Sequence, residues 1–325
     1  MNQPNPLSSF FSILFGGLII FMIGIGVFVL GTSILHTVGR SHTVDGFASS
    51  TSDIYTFDPN SAYAYASAAF HYSAADEEDV INAAAQSLPH SEVKGITADA
   101  YSVKDITTGA VIAEKNSFQL LPIASLTKLV TAIVARKLIP DSAHVVITKK
   151  VMQTYGNTAS FKAGETFSAG DLMYPMLMVS SNDAAEAYAQ YYGRAQFIRA
   201  MNDFTQSIGA YRTYFADPSG LDPRNVSTAN DLALILNWIR INDPAILATT
   251  ELKSKTIRTH TWVNPTHFLS WSYYMGGKNG YLPESDRTNA SLFKWGINGD
   301  IYAVVVLGSS QRDADTIALL KKIGN

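Results

Sequence analysis

The stretch "LPIASLTKLVTAIVARKLI", Leu121 to Ile139, sets Ser125 and Lys128 three residues apart at the head of an apolar run. Leu126, Leu129, Val130, Ile133, Val134 and Leu138 recur at helical spacing, so a buried helix opening at Ser125 is expected. Residues three apart share a helix face, which puts Lys128 within reach of the Ser125 hydroxyl. The plain alternative is an ordinary helix start with a solvated lysine. The same spacing occurs at Ser91 and Lys94, where Pro89 precedes, Gly95 interrupts and no apolar run follows, so spacing alone decides nothing. A serine hydroxyl needs a neutral base beside it, whereas a free lysine, with a pKa of about 10.4, is charged. Burial and a second nearby cation both favour the neutral amine. A catalytic Ser125 therefore requires another Lys or Arg from elsewhere in the chain, and a helix start nearby would offer free N–H groups for developing negative charge.

Two further segments downstream supply what is missing. "SSN", Ser180 to Asn182, falls between two helix-like runs, and "GGKNGY", Gly276 to Tyr281, falls in a strand-like one. Ser180 could relay a proton to a leaving amine, Asn182 could bind an amide, and Lys278 could serve as second cation and carboxylate anchor. A strand beside the nucleophile could also pair with an extended peptide. Around these segments, "ADAYSVKDITTGAVIAEKN" reads as a hairpin with Asp105 near its tip. Ser168 with Asp171, and Thr228 with Asp231, have the spacing of helix caps. The C-terminal part turns to strands, "TWVN", "GGKNGYL", "ASLFKWGI" and "IYAVVVLGSS", before a last helix, "RDADTIALLKKI". Strands at both ends with helices between them predict one α/β domain whose first strands pair with its last.

"PIASLTKLVTA", "MLMVSSNDAAEAYA", "DPSGLDPRNVSTANDLA" and "GGKNGYLPES" occur in this order, and as a set they resemble the serine-type D-alanyl-D-alanine carboxypeptidases of the S11 peptidase type, among the low-molecular-mass penicillin-binding proteins. The resemblance covers about Ala98 to Leu320. It implies a β-lactamase/transpeptidase-like α/β fold, an antiparallel sheet flanked by helices with a helical subdomain. It also implies Ser125 as nucleophile, Lys128 as its base, Ser180 and Asn182 as the second catalytic element and Lys278 as the third. Asn279, Gly280 and Tyr281 would bind substrate, with the backbone N–H groups of Ser125 and Tyr281 as the oxyanion hole. The implied partners are a peptidoglycan stem peptide and β-lactam antibiotics as covalent inhibitors. Two positions depart from the family pattern: Asn279 replaces the Thr between Lys and Gly, and Asp217 replaces the Asn before Pro-Ser-Gly-Leu. A class A β-lactamase would need a glutamate to activate deacylating water, and no Glu lies between Ala187 and Thr250. A wall-binding module that keeps the fold without the chemistry is the reading that Asn279 motivates.

Composition bounds the rest. With 24 Lys plus Arg against 27 Asp plus Glu, a net charge of -3 offers no basic surface for nucleic acid. There is no Cys, and the seven His residues show no metal-ligand spacing, so neither metal nor cofactor is expected. Residues 10–35, "FFSILFGGLIIFMIGIGVFVLGTSIL", carry no charge and exceed the roughly 20 residues that cross a bilayer. The expectation is an uncleaved single-pass membrane helix after a short tail, residues 1–9. Arg40 is the first charged side chain, and the positive-inside rule would by itself favour a cytoplasmic C-terminal side. The family resemblance implies the opposite, a catalytic domain outside the cytoplasm. Residues 36–93 are rich in Ser, Ala and Tyr with scattered acids and read as a tether; residues 94–325 form the expected catalytic domain.

Overall fold

The computed structural model describes residues 92–295 and 299–323. The expected membrane helix, the tether as far as residue 91 and the rival serine Ser91 lie outside them. Among the described residues no helix is long and apolar enough to cross a membrane.

The C-terminal apolar segments pair with the N-terminal ones. β1 (Ala100–Asp105) and β2 (Val111–Lys115) form the hairpin expected around Asp105, whose carboxylate accepts from the N–H groups of Thr107 and Thr108 at 2.8 and 3.2 Å and fixes the turn. β9 (Tyr274–Leu282), β10 (Asp286–Trp295) and β11 (Asp300–Ser309) complete an antiparallel sheet in the order β2-β1-β11-β10-β9. The first strand meets the last, Ala100 opposite Leu307 and Asp105 opposite Tyr302. Three two-stranded pairs stand apart from this sheet: β3 (Leu121–Pro122) with β6 (Val226–Ser227), β4 (His144–Val146) with β5 (Thr166–Ser168), and β7 (Ser254–Ile257) with β8 (His260–Val263).

Helices cover both faces of the main sheet, which explains why "YAVVVL" in β11 is apolar without alternation. Ala303, Val305 and Leu307 join the larger core, which also holds Leu232, Ile235 and Leu236 of the helix Ala229–Asn242. Val304 and Val306 meet Leu319 and Leu320 of the helix Arg312–Lys322 on the other face. Among the described residues the α-helices are, in chain order, α1 (Thr127–Leu138), α2 (Ala169–Met178), α3 (Asn182–Tyr192), α4 (Arg194–Ser207), α5 (Ala229–Asn242), α6 (Pro244–Thr250) and α7 (Arg312–Lys322). Helices α1 to α4 make up a helical layer between the sheet's two halves in sequence. The cap spacings hold: Ser168 Oγ accepts from Asp171 N at 3.1 Å and Thr228 Oγ1 from Asp231 N at 3.0 Å.

The opening of α1 differs from the sequence expectation. Ser125 lies not in the α-helix but in a 3-10 turn, Ala124–Leu126, that leads into it. Ala124 has φ +48°, a left-handed conformation that costs an L-residue roughly 1–2 kcal/mol. The strain sits one residue before the serine, and the surrounding contacts hold it there.

Candidate active site

Lys128 is fully buried. Its Nζ lies 2.8 Å from Ser125 Oγ, 2.7 Å from Asn182 Oδ1 and 2.5 Å from the Ser219 carbonyl oxygen. The amide oxygen and the carbonyl can only accept. A neutral amine donates its two N–H groups to them and keeps a lone pair for the Ser125 O–H, the arrangement a general base requires. Burial drives the Lys128 ammonium well below its ordinary pKa, the positive charge of Lys278 adds to that effect, and the Asp217 carboxylate opposes it. The second cation that a neutral lysine calls for is therefore present, and it is Lys278.

Lys278 is itself buried, with its Nζ donating to the Asn279 carbonyl at 2.7 Å. Burial, with a smaller contribution from Arg312, lowers its pKa to about 7. It belongs to β9, an edge of the five-stranded sheet, so the strand's outer polar groups face the 3-10 turn of Ser125 rather than another strand of that sheet. Gly280 explains how close the two come: a Cβ there would lie 2.8 Å from Ser125 N, 2.8 Å from Thr288 Oγ1 and 2.9 Å from Ala124 Cβ. Only a glycine lets β9 approach the serine backbone this closely.

The loop "DPSGL" holds the turn from the other side. Gly220 has φ +86°, and a Cβ would overlap the Ala124 carbonyl group. Asp217 Oδ1 accepts from Ser219 N, Ser219 Oγ and Gly220 N, and Oδ2 accepts from Asp222 N. A carboxylate thus organises this turn, which gives the departure at Asp217 a structural role. Thr131 Oγ1 donates to the Pro218 carbonyl at 2.6 Å, and Asn225 Nδ2 to Thr127 Oγ1 and the Asp217 carbonyl, both at 3.0 Å. Thr127, Lys128 and Thr131 share one side of α1 and carry the loop. This support escaped the sequence reading, although three polar residues at i, i+1 and i+4 inside an apolar run signal a polar face with partners.

Asn182, first residue of α3, places its amide between Lys128 and the 155–156 loop, with Nδ2 donating to the Tyr155 carbonyl at 2.8 Å. Its second N–H has no hydrogen-bond partner among the described residues. Ser180 sits just before it with φ +58°, half-buried. Among the described residues no hydrogen bond links its hydroxyl to Ser125 or Lys128, so Ser125, Lys128 and Asn182 come together directly and Ser180 does not join them. Register separates the β9 positions further. Gly280 pairs with Thr288 and Lys278 with Ala290, on the face toward Ser125, while Asn279 pairs with Asn289, whose Nδ2 reaches Thr316 of α7 on the other face. Asn279 is half-buried, and its amide makes no hydrogen bond among the described residues. Tyr281 is 60% exposed, with Arg287 over its ring. Beside Asn182 is a group the sequence did not flag: Asp183 is fully buried, and neither carboxylate oxygen finds a partner among the described residues. Burial raises its pKa to about 6. Among the described residues no cluster of His, Asp or Glu could hold a metal ion.

Fold and site together define a transpeptidase-like serine-lysine enzyme architecture, with the paired serine and lysine under an edge strand. The comparisons narrow the class: the model of the D-alanyl-D-alanine carboxypeptidase family, Peptidase S11, matches residues 84–308, and the chain belongs to that family. It is similar to a D-alanyl-D-alanine endopeptidase of Pseudomonas aeruginosa, 29% identical over 228 residues, which span 68% of this chain and 70% of the relative. A solved D-alanyl-D-alanine carboxypeptidase from Mycobacterium tuberculosis superposes with a TM-score of 0.65 at 27% identity, covering 73% of this chain and 93% of that one. Penicillin-binding protein D2 of Listeria monocytogenes, solved in its cefotaxime-bound form, superposes with a TM-score of 0.64 at 25% identity, covering 71% of this chain and 99% of that one.

Proposed function

We propose that this protein is a serine D,D-carboxypeptidase that removes the terminal D-alanine from peptidoglycan stem peptides through an acyl-enzyme on Ser125. The observation that carries the reading is the Lys128 amine, buried, 2.8 Å from Ser125 Oγ and with both other acceptors positioned for its N–H groups. Ser125 Oγ attacks the carbonyl of the penultimate D-alanine as Lys128 takes its proton. The oxyanion forms against the N–H groups of Ser125 and Tyr281, at the point where Gly280 lets the strand close on the turn. Lys128 then returns the proton to the leaving amine, directly or through Ser180, and D-alanine departs. Water attacks the ester, with Lys128 again as base, and frees Ser125. The substrate would lie extended along β9, its terminal carboxylate on Lys278, the Asn279 amide a second donor from the other face of the same edge, and an upstream carbonyl on the open N–H of Asn182.

The endopeptidase relative favours a second reading with the same acyl-enzyme, in which the leaving amine belongs to a cross-link rather than to free D-alanine. Both readings predict β-lactam acylation, as the cefotaxime-bound neighbour suggests. Penicillin should label the wild-type protein at Ser125, and the adduct should be long-lived. Ser125→Ala should abolish labelling, whereas Ser91→Ala should not. Undiminished labelling of Ser125→Ala, located by mass spectrometry, removes the central claim. Release of D-alanine from a linear pentapeptide, measured against cleavage of a cross-linked dimer, separates the two activities.

From the sequence of residues 10–35 and the site of the substrate, we propose that the chain is anchored in the cell membrane with the catalytic domain outside the cytoplasm. Protease added to intact spheroplasts should then remove that domain; survival until the membrane is opened contradicts the proposal.

A further inference from the structure

A cavity of about 280 Å³ adjoins the serine-lysine pair. One wall is the Asp217–Ser219 turn, whose Ser219 carbonyl accepts from Lys128. Lys150, Gln153 and Thr154, just ahead of the Tyr155 carbonyl that receives the Asn182 amide, also line the cavity. Glu186, Gln190 and Arg194 belong to the same lining. Asn182, Glu186 and Gln190 are spaced at i, i+4 and i+8 on α3, hence on one stripe, with successive residues about 6 Å apart along the axis. The cavity therefore continues the reaction site along α3, beyond Asn182.

Its charges are unequally committed. The Glu186 carboxylate accepts from Arg194 Nε at 3.0 and 3.2 Å and from Gln190 Nε2 at 3.2 Å. The oxygens of Asp217 are filled by its own turn. Asp222, the other carboxylate within range of the Arg194 charge, is held by Arg224. The cations are not used up in this way. Arg194 is about half exposed and has only its Nε engaged among the described residues, so neither Nη group has a hydrogen-bond partner there, and Lys150 is exposed with no ion pair among them. Glu186 fixes the guanidinium, which then presents a preorganised fork, and a flexible ammonium lines the same cavity.

On the proposed reading of the function, a stem peptide anchored by its terminal carboxylate at Lys278 and by an upstream carbonyl at Asn182 carries its next residues past this cavity. We infer that the cavity is a specificity subsite in which Lys150 and Arg194 bind a carboxylate on the side chain of the stem-peptide residue that precedes the two D-alanines. The chemical class recognised is a residue whose side chain carries a carboxylate, as distinct from one ending in an ammonium alone or in a carboxamide.

The test uses the full chain and three pentapeptides ending in D-alanyl-D-alanine that differ only at the preceding side chain: carboxylate-bearing, the same carboxylate converted to the carboxamide, and lysine. For the wild type, kcat/KM should favour the carboxylate over the carboxamide by about tenfold, the range of one or two partly screened charge-assisted contacts, and the preference should shrink as salt is added. Lys150→Ala, at an exposed position where folding is not at stake, and Arg194→Gln should each reduce the ratio to about threefold, and the double variant to about one. A wild-type ratio of one, or variants that keep the wild-type ratio, overturns the subsite while leaving the proposed peptidase intact. A wild-type protein that neither releases D-alanine from any of the three peptides nor reacts with penicillin overturns both.

Discussion

At the scale of single residues, the chemistry rests on two lysines buried in one site. Burial disfavours the charge of both, and the charge of Lys278 further disfavours that of Lys128, so Lys128 is neutral most readily while Lys278 is charged. A carboxylate-ended substrate needs the Lys278 ammonium. Its lowered pKa of about 7 predicts that kcat/KM, which reports the free enzyme, falls as pH rises through that value. Lys278→Arg, always charged, should stay active to about pH 9, at some cost in rate from its bulk. A pH profile that does not change on this substitution would remove Lys278 from carboxylate binding. Asn279 tests the same anion from the other side of the strand. Asn279→Ala should lower kcat/KM on a D-alanyl-D-alanine peptide by about tenfold, one modest hydrogen bond to a charged group, while Asn279→Thr should retain activity. Steady-state kinetics of the three proteins decide this, and an unaltered Asn279→Ala enzyme places the residue outside the site.

At the scale of elements, what matters is how closely β9 and the "DPSGL" loop grip the turn that carries Ser125. Gly280 and Gly220 are the points of contact, and in both a Cβ would occupy space already filled by backbone. Gly280→Ala should displace β9 or the turn, with a stability loss of about 1–3 kcal/mol by overpacking. Because a misplacement near 1 Å can cost about a hundredfold in rate, penicillin acylation should fall by that order even where the protein remains folded, as circular dichroism and acylation kinetics would show. Acylation at the wild-type rate would mean that the close approach is not needed. The two glycines were legible in sequence only as parts of motifs. Neither "SGL" nor "KNG" says that its glycine touches Ser125, because that contact joins segments 95 and 155 residues apart along the chain.

At the scale of the whole molecule, the buried Asp183 carboxyl links stability to pH. Its folded pKa of about 6 lies above the ordinary 3.8, so the folded state binds the proton more tightly than the unfolded chain does. The stabilisation is therefore complete below about pH 4 and is lost as pH rises through about 6. Asp183→Asn keeps the shape and cannot ionise, so its stability relative to the wild type should improve steadily between pH 4 and 7 in urea titrations. A difference independent of pH would show that the carboxyl is solvated in the folded protein. The sequence by itself determined the strands of the main sheet, the helical runs after Ser125, Ser168 and Thr228 and at the C-terminus, and the two caps at Ser168 and Thr228. These depend on periodicity and on spacings within one or two turns, which act locally. The 3-10 turn in place of a helix start, the edge position of β9, the separation of Ser180 from the bonded trio, the placement of Asn279 on the other face of β9 and the orphaned carboxyl of Asp183 were decided by tertiary structure alone. Each depends on which distant backbone approaches the residue and how much water that approach excludes, and neither quantity is encoded in the neighbouring sequence.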